Sequence, residues 1–232
     1  MNLVNKILSR ISIIIFNSFA KTSQINVVNK QHIHPDSKLE NAYVFGNVQI
    51  NKGVILSKGV HLTGNIGIGD YSSISGPNTS LYSSINRIEI GKFCSIARNV
   101  SFQEYFHHSD RLTTYMMHSI FFDGSSKEDL VSKGDILVGN DVWIGMDSVI
   151  LSGVKIGNGA IIGANSVVNC DVPDYAVVAG VPAKIVKYRF SPSTIDLLNL
   201  KKWWDWDLEK IKNNKHLFET NSEEEIVRIL NK

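Results

Sequence analysis

His107 and His108 stand side by side in a stretch rich in aromatic residues, with Asp110 three positions after the first and Thr113-Thr114-Tyr115 beyond it. An unperturbed imidazole titrates near pH ~6.5, so at neutral pH it is mostly uncharged and able to take a proton from an attacking hydroxyl or amine. A carboxylate that accepts the other ring N–H would orient such a base. Asp110 and Glu104 are the two acids near enough in sequence, although Asp110 serves equally well as a turn residue. Other reactive side chains fit their usual chemistry less well. His32-x-His34 lacks the second ligand pair of a zinc site, so no metal is expected. Cys94 and Cys170 lack the cationic neighbours that make a nucleophilic thiolate.

The elements that must hold these residues follow from a repeat. From Val44 an aliphatic residue returns every six positions at Ile50, Leu56, Leu62, Ile68 and Ile74, then at Ile90, Ile96 and Phe102. The beat resumes at Val138, Ile144, Ile150, Ile156, Ile162 and Val168. A helix repeats every 3.6 residues and a strand every two, so a period of six fits short strands joined by turns. The position four after each aliphatic is again small or apolar, as in Val54, Val60, Ser72, Cys94, Val100, Ser148 and Val154. This predicts a mainly β fold, a solenoid of hexapeptide repeats with three repeats per coil, over residues 31–186. Ile33 and Leu39 start it one residue out of register.

Residues 103–135 are off the beat, aromatic and rich in histidine, and are expected to form an ordered loop thrown out from one coil. Before the solenoid, Leu3, Val4, Ile7, Leu8, Ile11, Ile14, Ile15 and Phe19 recur at helical spacing among basic residues. An amphipathic helix is expected over 1–30, packed on the protein or a sister subunit, with membrane-surface contact the less favoured alternative. Its apolar stretch is too short to span a bilayer. The segment 187–232 is expected to be a helical extension, with a capping box at Ser222-x-x-Glu225.

Composition sets the outer bounds. The chain has 232 residues, 43% hydrophobic and 20% charged, which suits one large globular domain with appendages. A net charge of +2 is too small to indicate nucleic-acid binding. Two cysteines are no disulfide framework, which points to a reducing, cytoplasmic setting, with a peripheral place on the inner membrane face as the alternative. All 17 glycines lie between Gly46 and Gly180, coincident with the repeat.

Three stretches together carry a resemblance. They are the loop His107 to Tyr115, the run from Gly139 to Phe190, and the tail KKWWDWDLEKI. The chain resembles the hexapeptide-repeat acyltransferases, and within them the xenobiotic or chloramphenicol acetyltransferase-like branch, close to sugar acetyltransferases. The resemblance implies a left-handed parallel β-helix, a homotrimer, and acetyl-CoA as acyl donor in a groove between neighbouring subunits. The acid at three and the Thr-Thr-Tyr at six to eight favour His107 as the general base, with His108 second. Met116-Met117 replaces the branch's usual Pro-Phe, which leaves the loop's path open.

For the donor, the resemblance implies contacts at Gly145, Gly163, Ala164, Ala179 and Gly180, whose small size would admit a pantetheine arm. Trp143 would wall that cavity. Lys184 and Lys187, with Arg189 after them, fall where the family binds CoA phosphates. The expected acceptor is a sugar amine or hydroxyl, on a nucleotide-linked amino sugar or in a surface polysaccharide such as O-antigen. An antibiotic acetyltransferase of the same fold, or a silent solenoid scaffold, are the alternatives. A metalloenzyme with the same coil is disfavoured, since His61, His107, His108 and His118 do not recur at coil spacing.

Overall fold

The computed structural model describes residues 32–231, so the expected N-terminal helix lies outside the described residues. From Ile33 to Gly180 the chain winds as a parallel β-solenoid with three flat faces. One face stacks Lys38–Leu39, Ile55–Leu56, Ser73–Ile74, Ser95–Ile96, Trp143–Ile144, Ile161–Ile162 and Ala176–Gly180. A second stacks the starts of Tyr43–Ile50 and His61–Ile68 with Ser80–Tyr82, Ser101–Gln103, Val149–Leu151 and Val167–Val168. The third stacks the ends of those two long strands with Ile88–Ile90, Ile136–Val138 and Lys155–Ile156. The six-residue repeat fits a left-handed β-helix.

The repeat is the core. Leu56, Leu62, Ile74, Ile144, Ile150 and Ile162 are fully buried, and so are Val54, Val60 and Val100 in the second inward slot. Where that slot holds serine, the hydroxyl is satisfied: Ser72 Oγ donates to the Gly91 carbonyl at 2.7 Å and Ser148 Oγ to that of Gly163 at 3.0 Å. An unpaired buried hydroxyl would instead cost ~1–3 kcal/mol. Glycine is required where Tyr43–Ile50 and His61–Ile68 bend around a corner. Gly46 has φ +98°, and a Cβ there would lie 2.6 Å from the Gly64 carbonyl oxygen.

Two irregularities break the period. Between Ile74 and Ile90 the beat is lost in sequence, and Leu81 fills the slot, buried between Leu62 and Phe102. Farther on, the coil-to-coil offset is 48 residues, as between Arg87 and Asp135, against 18 between Asn140 and Asn158. The excess is the loop. Its feet pair as antiparallel strands Phe106–His107 and Leu130–Val131. At Met116-Met117 the chain enters a short helix, Met117–Phe121, whose first amides donate to Asp129: His118 N–H and Ser119 N–H each lie 2.9 Å from its carboxylate.

After Gly180 the chain reverses into an antiparallel strand, Ala183–Tyr188, which runs past the expected boundary at 186. Helices Pro192–Lys201, Leu208–Asn213, Lys215–Glu219 and Glu223–Leu230 follow. Trp204 is buried with Tyr175, Leu198 and Leu230, while Trp203 stacks on Phe93 at 5.0 Å, so the tryptophans cover the solenoid's flank. Only half of the capping box forms. Ser222 Oγ accepts from Glu225 N–H at 3.2 Å, but the Glu225 carboxylate turns to Thr220 and His216. Among the described residues no helix is long and apolar enough to cross a membrane.

Cys94 sits in the core and burial pushes its thiol up to about 12, whereas Cys170 is exposed. Ellman's reagent is therefore expected to titrate one thiol per folded chain and two in denaturant. Two in the folded protein would show that the coil around Cys94 opens.

Candidate functional site

Each repeat of the first face ends at a corner, and the two residues after the inward aliphatic line a groove there. The lining comprises Ser57, Ser75, Gly76, Ala97, Arg98, Gly145, Met146, Gly163 and Ala164, walled by Trp143 and Ile161 and enclosing about 740 Å³. The groove therefore brings together four of the expected donor residues, Trp143, Gly145, Gly163 and Ala164. Trp143 remains 54% exposed, because its strand position points away from the core. Ala179 lies on the next coil below Gly163, and Lys184 lies opposite Ala179 on the antiparallel strand. Lys187 pairs in register with Val177, and both lysines are exposed.

The glycines have a reason of their own to lack side chains. A Cβ on Gly145 would come within 2.6 Å of Ala164 N, and one on Gly163 within 3.0 Å of Ala179 Cβ. Close coil stacking thus requires them with or without a ligand. Gly180 differs, with φ +103° and only an ordinary 3.6 Å contact to the Pro182 carbonyl oxygen for a Cβ to make. The amides of Gly145 and Gly163 are also committed to the next coil, donating to Ile162 and Val178 carbonyls at 2.8 and 2.7 Å. The N–H groups of Met146 and Ala164 have no such partner among the described residues, and both residues line this groove.

The histidine loop is arranged differently from its sequence spacing. Asp110 lies 3.5 Å from Nδ1 of His108, so the acid expected for His107 sits beside its neighbour. The His107 side chain is exposed, on the strand paired with Leu130–Val131. Glu104 is fully buried and does not reach an imidazole. Its carboxylate accepts from Ser84 N–H at 2.9 Å, Ile85 N–H at 3.0 Å and Asn86 Nδ2 at 3.2 Å. Asn86 also donates to Ser132 Oγ at 2.8 Å. Glu104 at the outgoing foot of the loop and Ser132 at the returning foot are thereby clamped to one turn.

Arg189 is withdrawn from the phosphate-binding role the resemblance implied. Its Nη1 donates to Asp141 Oδ2 at 3.0 Å and to the Gly159 carbonyl at 2.7 Å, and its guanidinium lies over Tyr175 and Phe190. Arg98, by contrast, was not singled out from sequence although it occupies the position two after Ile96, equivalent to Met146 and Ala164 in the groove. Among the described residues no group of three His, Cys, Asp or Glu could hold a metal ion.

Residues 135–170 match the family described as bacterial transferase hexapeptide, six repeats. A chloramphenicol acetyltransferase of Morganella morganii is 38% identical over 180 residues, covering 69% of this chain and 85% of the relative. The chain belongs to the hexapeptide-repeat acyltransferases. This acyltransferase is also 32% identical over 161 residues to an Escherichia coli K12 protein provisionally named a lipopolysaccharide biosynthesis O-acetyl transferase, covering 62% of this chain and 74% of that one. The solved structure of the polySia-specific acetyltransferase NeuO superposes with a TM-score of 0.53 at 26% identity, covering 67% of this chain and 70% of that one. The acyltransferase is thus acyl-CoA-dependent and of acetyltransferase kind. The groove is lined largely by small residues, with Arg98 on its middle coil and unpaired amides at Met146 and Ala164, and Lys184 stands on the outermost strand beyond its last lining coil.

Proposed function

We propose that the enzyme moves an acetyl group from acetyl-CoA to a sugar hydroxyl or amine, on a nucleotide-linked amino sugar or a surface polysaccharide. His107 is the general base. It takes the proton from the acceptor O–H or N–H as that atom bonds to the thioester carbonyl carbon. The C–S bond then breaks and CoA leaves as the thiol, carrying the proton handed back by the imidazole. A main-chain N–H of the groove, at Met146 or Ala164, donates to the carbonyl oxygen as negative charge develops there. Transfer is direct, and Asp110 holds the adjoining His108 in place. Lys184 and Lys187 meet the CoA phosphates, with Gly145, Gly163, Ala179 and Gly180 along the arm.

The observation that carries this reading is the separation of its two halves. Among the described residues the groove at Trp143 is lined by none of the loop 103–135, and the exposed His107 stands apart from it on the loop's own strand pair. A homotrimer in which one subunit's loop closes over its neighbour's groove completes the site. The likeness to NeuO and to the lipopolysaccharide O-acetyl transferase supports a sugar acceptor. The identity to chloramphenicol acetyltransferase supports the second reading, an antibiotic O-acetyltransferase. The enzyme would work in the cytoplasm, with residues 1–30 its candidate contact to a sister subunit or the inner membrane face.

A thiol-release assay with acetyl-CoA decides between them. The expected result is CoA release with UDP-, GDP- or dTDP-amino sugars or polysaccharide fragments. Release with chloramphenicol alone would move the enzyme to the antibiotic reading.

A further inference from the structure

The groove has a direction. Its lining coils stack in the order Ile55–Leu56, Ser73–Ile74, Ser95–Ile96, Trp143–Ile144 and Ile161–Ile162, and beyond them come Ala176–Gly180 and the outermost strand, Ala183–Tyr188. Arg98 belongs to the middle one of the lining coils and Lys184 to the outermost strand. Four strand spacings of ~4.8 Å separate the two cations by roughly 19 Å along the solenoid. Arg98 is exposed and without a salt bridge among the described residues. The nearby Asp147 carboxylate is occupied by Asn99 Nδ2 at 3.0 Å, and the Arg98 carbonyl accepts from Asp147 N–H. Small residues, Ser57, Ser75, Gly76 and Ala97, leave room around Arg98.

The level of Arg98 is that of the loop. Ser101–Gln103, from which the loop departs, lies on the same coil. In a cyclic trimer of side-by-side solenoids, equivalent coils stand at equal height, so a neighbour's loop also leaves at that level. With the CoA phosphates at the Lys184 strand, the acyl end of the donor and the incoming nucleophile meet near the level shared by Arg98 and the loop. A guanidinium is always charged and binds two oxygens of a carboxylate or phosphate in one plane.

We infer that Arg98 recognises an anionic group on the acceptor, which makes the acceptor an acidic sugar or a phosphate-linked one rather than a neutral molecule. The inference rests on the donor orientation proposed above. It names a specificity residue at a place where neutral chloramphenicol offers no anion for a guanidinium to pair with.

The test measures CoA release with acetyl-CoA and four acceptors: sialic acid oligomers, which offer carboxylates; a UDP-linked amino sugar, which offers phosphates; a neutral chito-oligosaccharide; and chloramphenicol. One of the two anionic classes is expected to be preferred, and which one identifies the source of the anion. Arg98→Gln is expected to raise KM for that acceptor at least ~10-fold, with KM for acetyl-CoA held within about twofold and partial recovery in Arg98→Lys. A rise in KM for acetyl-CoA instead would place Arg98 on the donor and overturn the inference. Equal use of neutral sugars, indifferent to Arg98→Gln, would overturn it too while leaving the sugar reading intact. CoA release with neither sugar class would remove both.

Discussion

His107→Ala is expected to lower kcat at least ~100-fold, the range a positioned general base contributes, with KM for acetyl-CoA changed by no more than about twofold. Neither a hydroxyl nor an ammonium group attacks a thioester at a useful rate without losing a proton, and His107 is the exposed imidazole at the root of the loop. The substitution should leave the fold unaltered, because the side chain is exposed. His108→Ala provides the contrast. Its Nδ1 is turned to Asp110 at 3.5 Å, and its loss is expected to cost less than ~10-fold. Steady-state CoA release, with circular dichroism to confirm folding, measures both. A hundredfold loss in His108→Ala beside a mild one in His107→Ala would transfer the role to His108.

The second large effect concerns Glu104. Glu104→Ala removes the acceptor for two part-buried hydrogen bonds from backbone N–H groups and for the Asn86 amide, at ~1–3 kcal/mol for each group left unpaired. A net loss on the order of 3 kcal/mol follows, or roughly 6–12 °C in Tm for a chain of this size. Activity should fall as well, because Ser132 at the other foot of the loop is held through Asn86. Burial by itself would raise the Glu104 pKa, but the donors at Ser132, Ser84, Ile85 and Asn86 outweigh it and hold the carboxyl below the ordinary carboxylate value. Since the folded value lies under the unfolded one, this contribution is complete above the unfolded pKa and is lost as pH falls through the folded one. Wild type should therefore lose stability on acidification more steeply than Glu104→Gln. Parallel acid-denaturation curves for the two would show that the clamp is not ionic.

Much of the scaffold is legible because a solenoid converts sequence distance into spatial distance. Val44, Ile50 and Leu56 point inward at a strict interval, and the residues just after each first-face aliphatic must fall on one corner. In the folded coil that rule puts Gly145, Gly163 and Ala164 on one corner, with Arg98, two positions after Ile96, on the same one. The same rule fails where the interval fails. Leu81 is spaced irregularly on both sides, so its burial was invisible to a count of six.

The sequence by itself determined the coil and the point where the loop leaves it, since each is a property of period and composition. Only the tertiary structure decided the pairings of Asp110 with His108, Glu104 with the 84–86 turn, and Arg189 with Asp141. These partners meet across turns and loop feet whose conformation no period governs. Charged side chains there settle on whichever donors the folded backbone brings within hydrogen-bond distance, and that distance exists only after the coils have stacked.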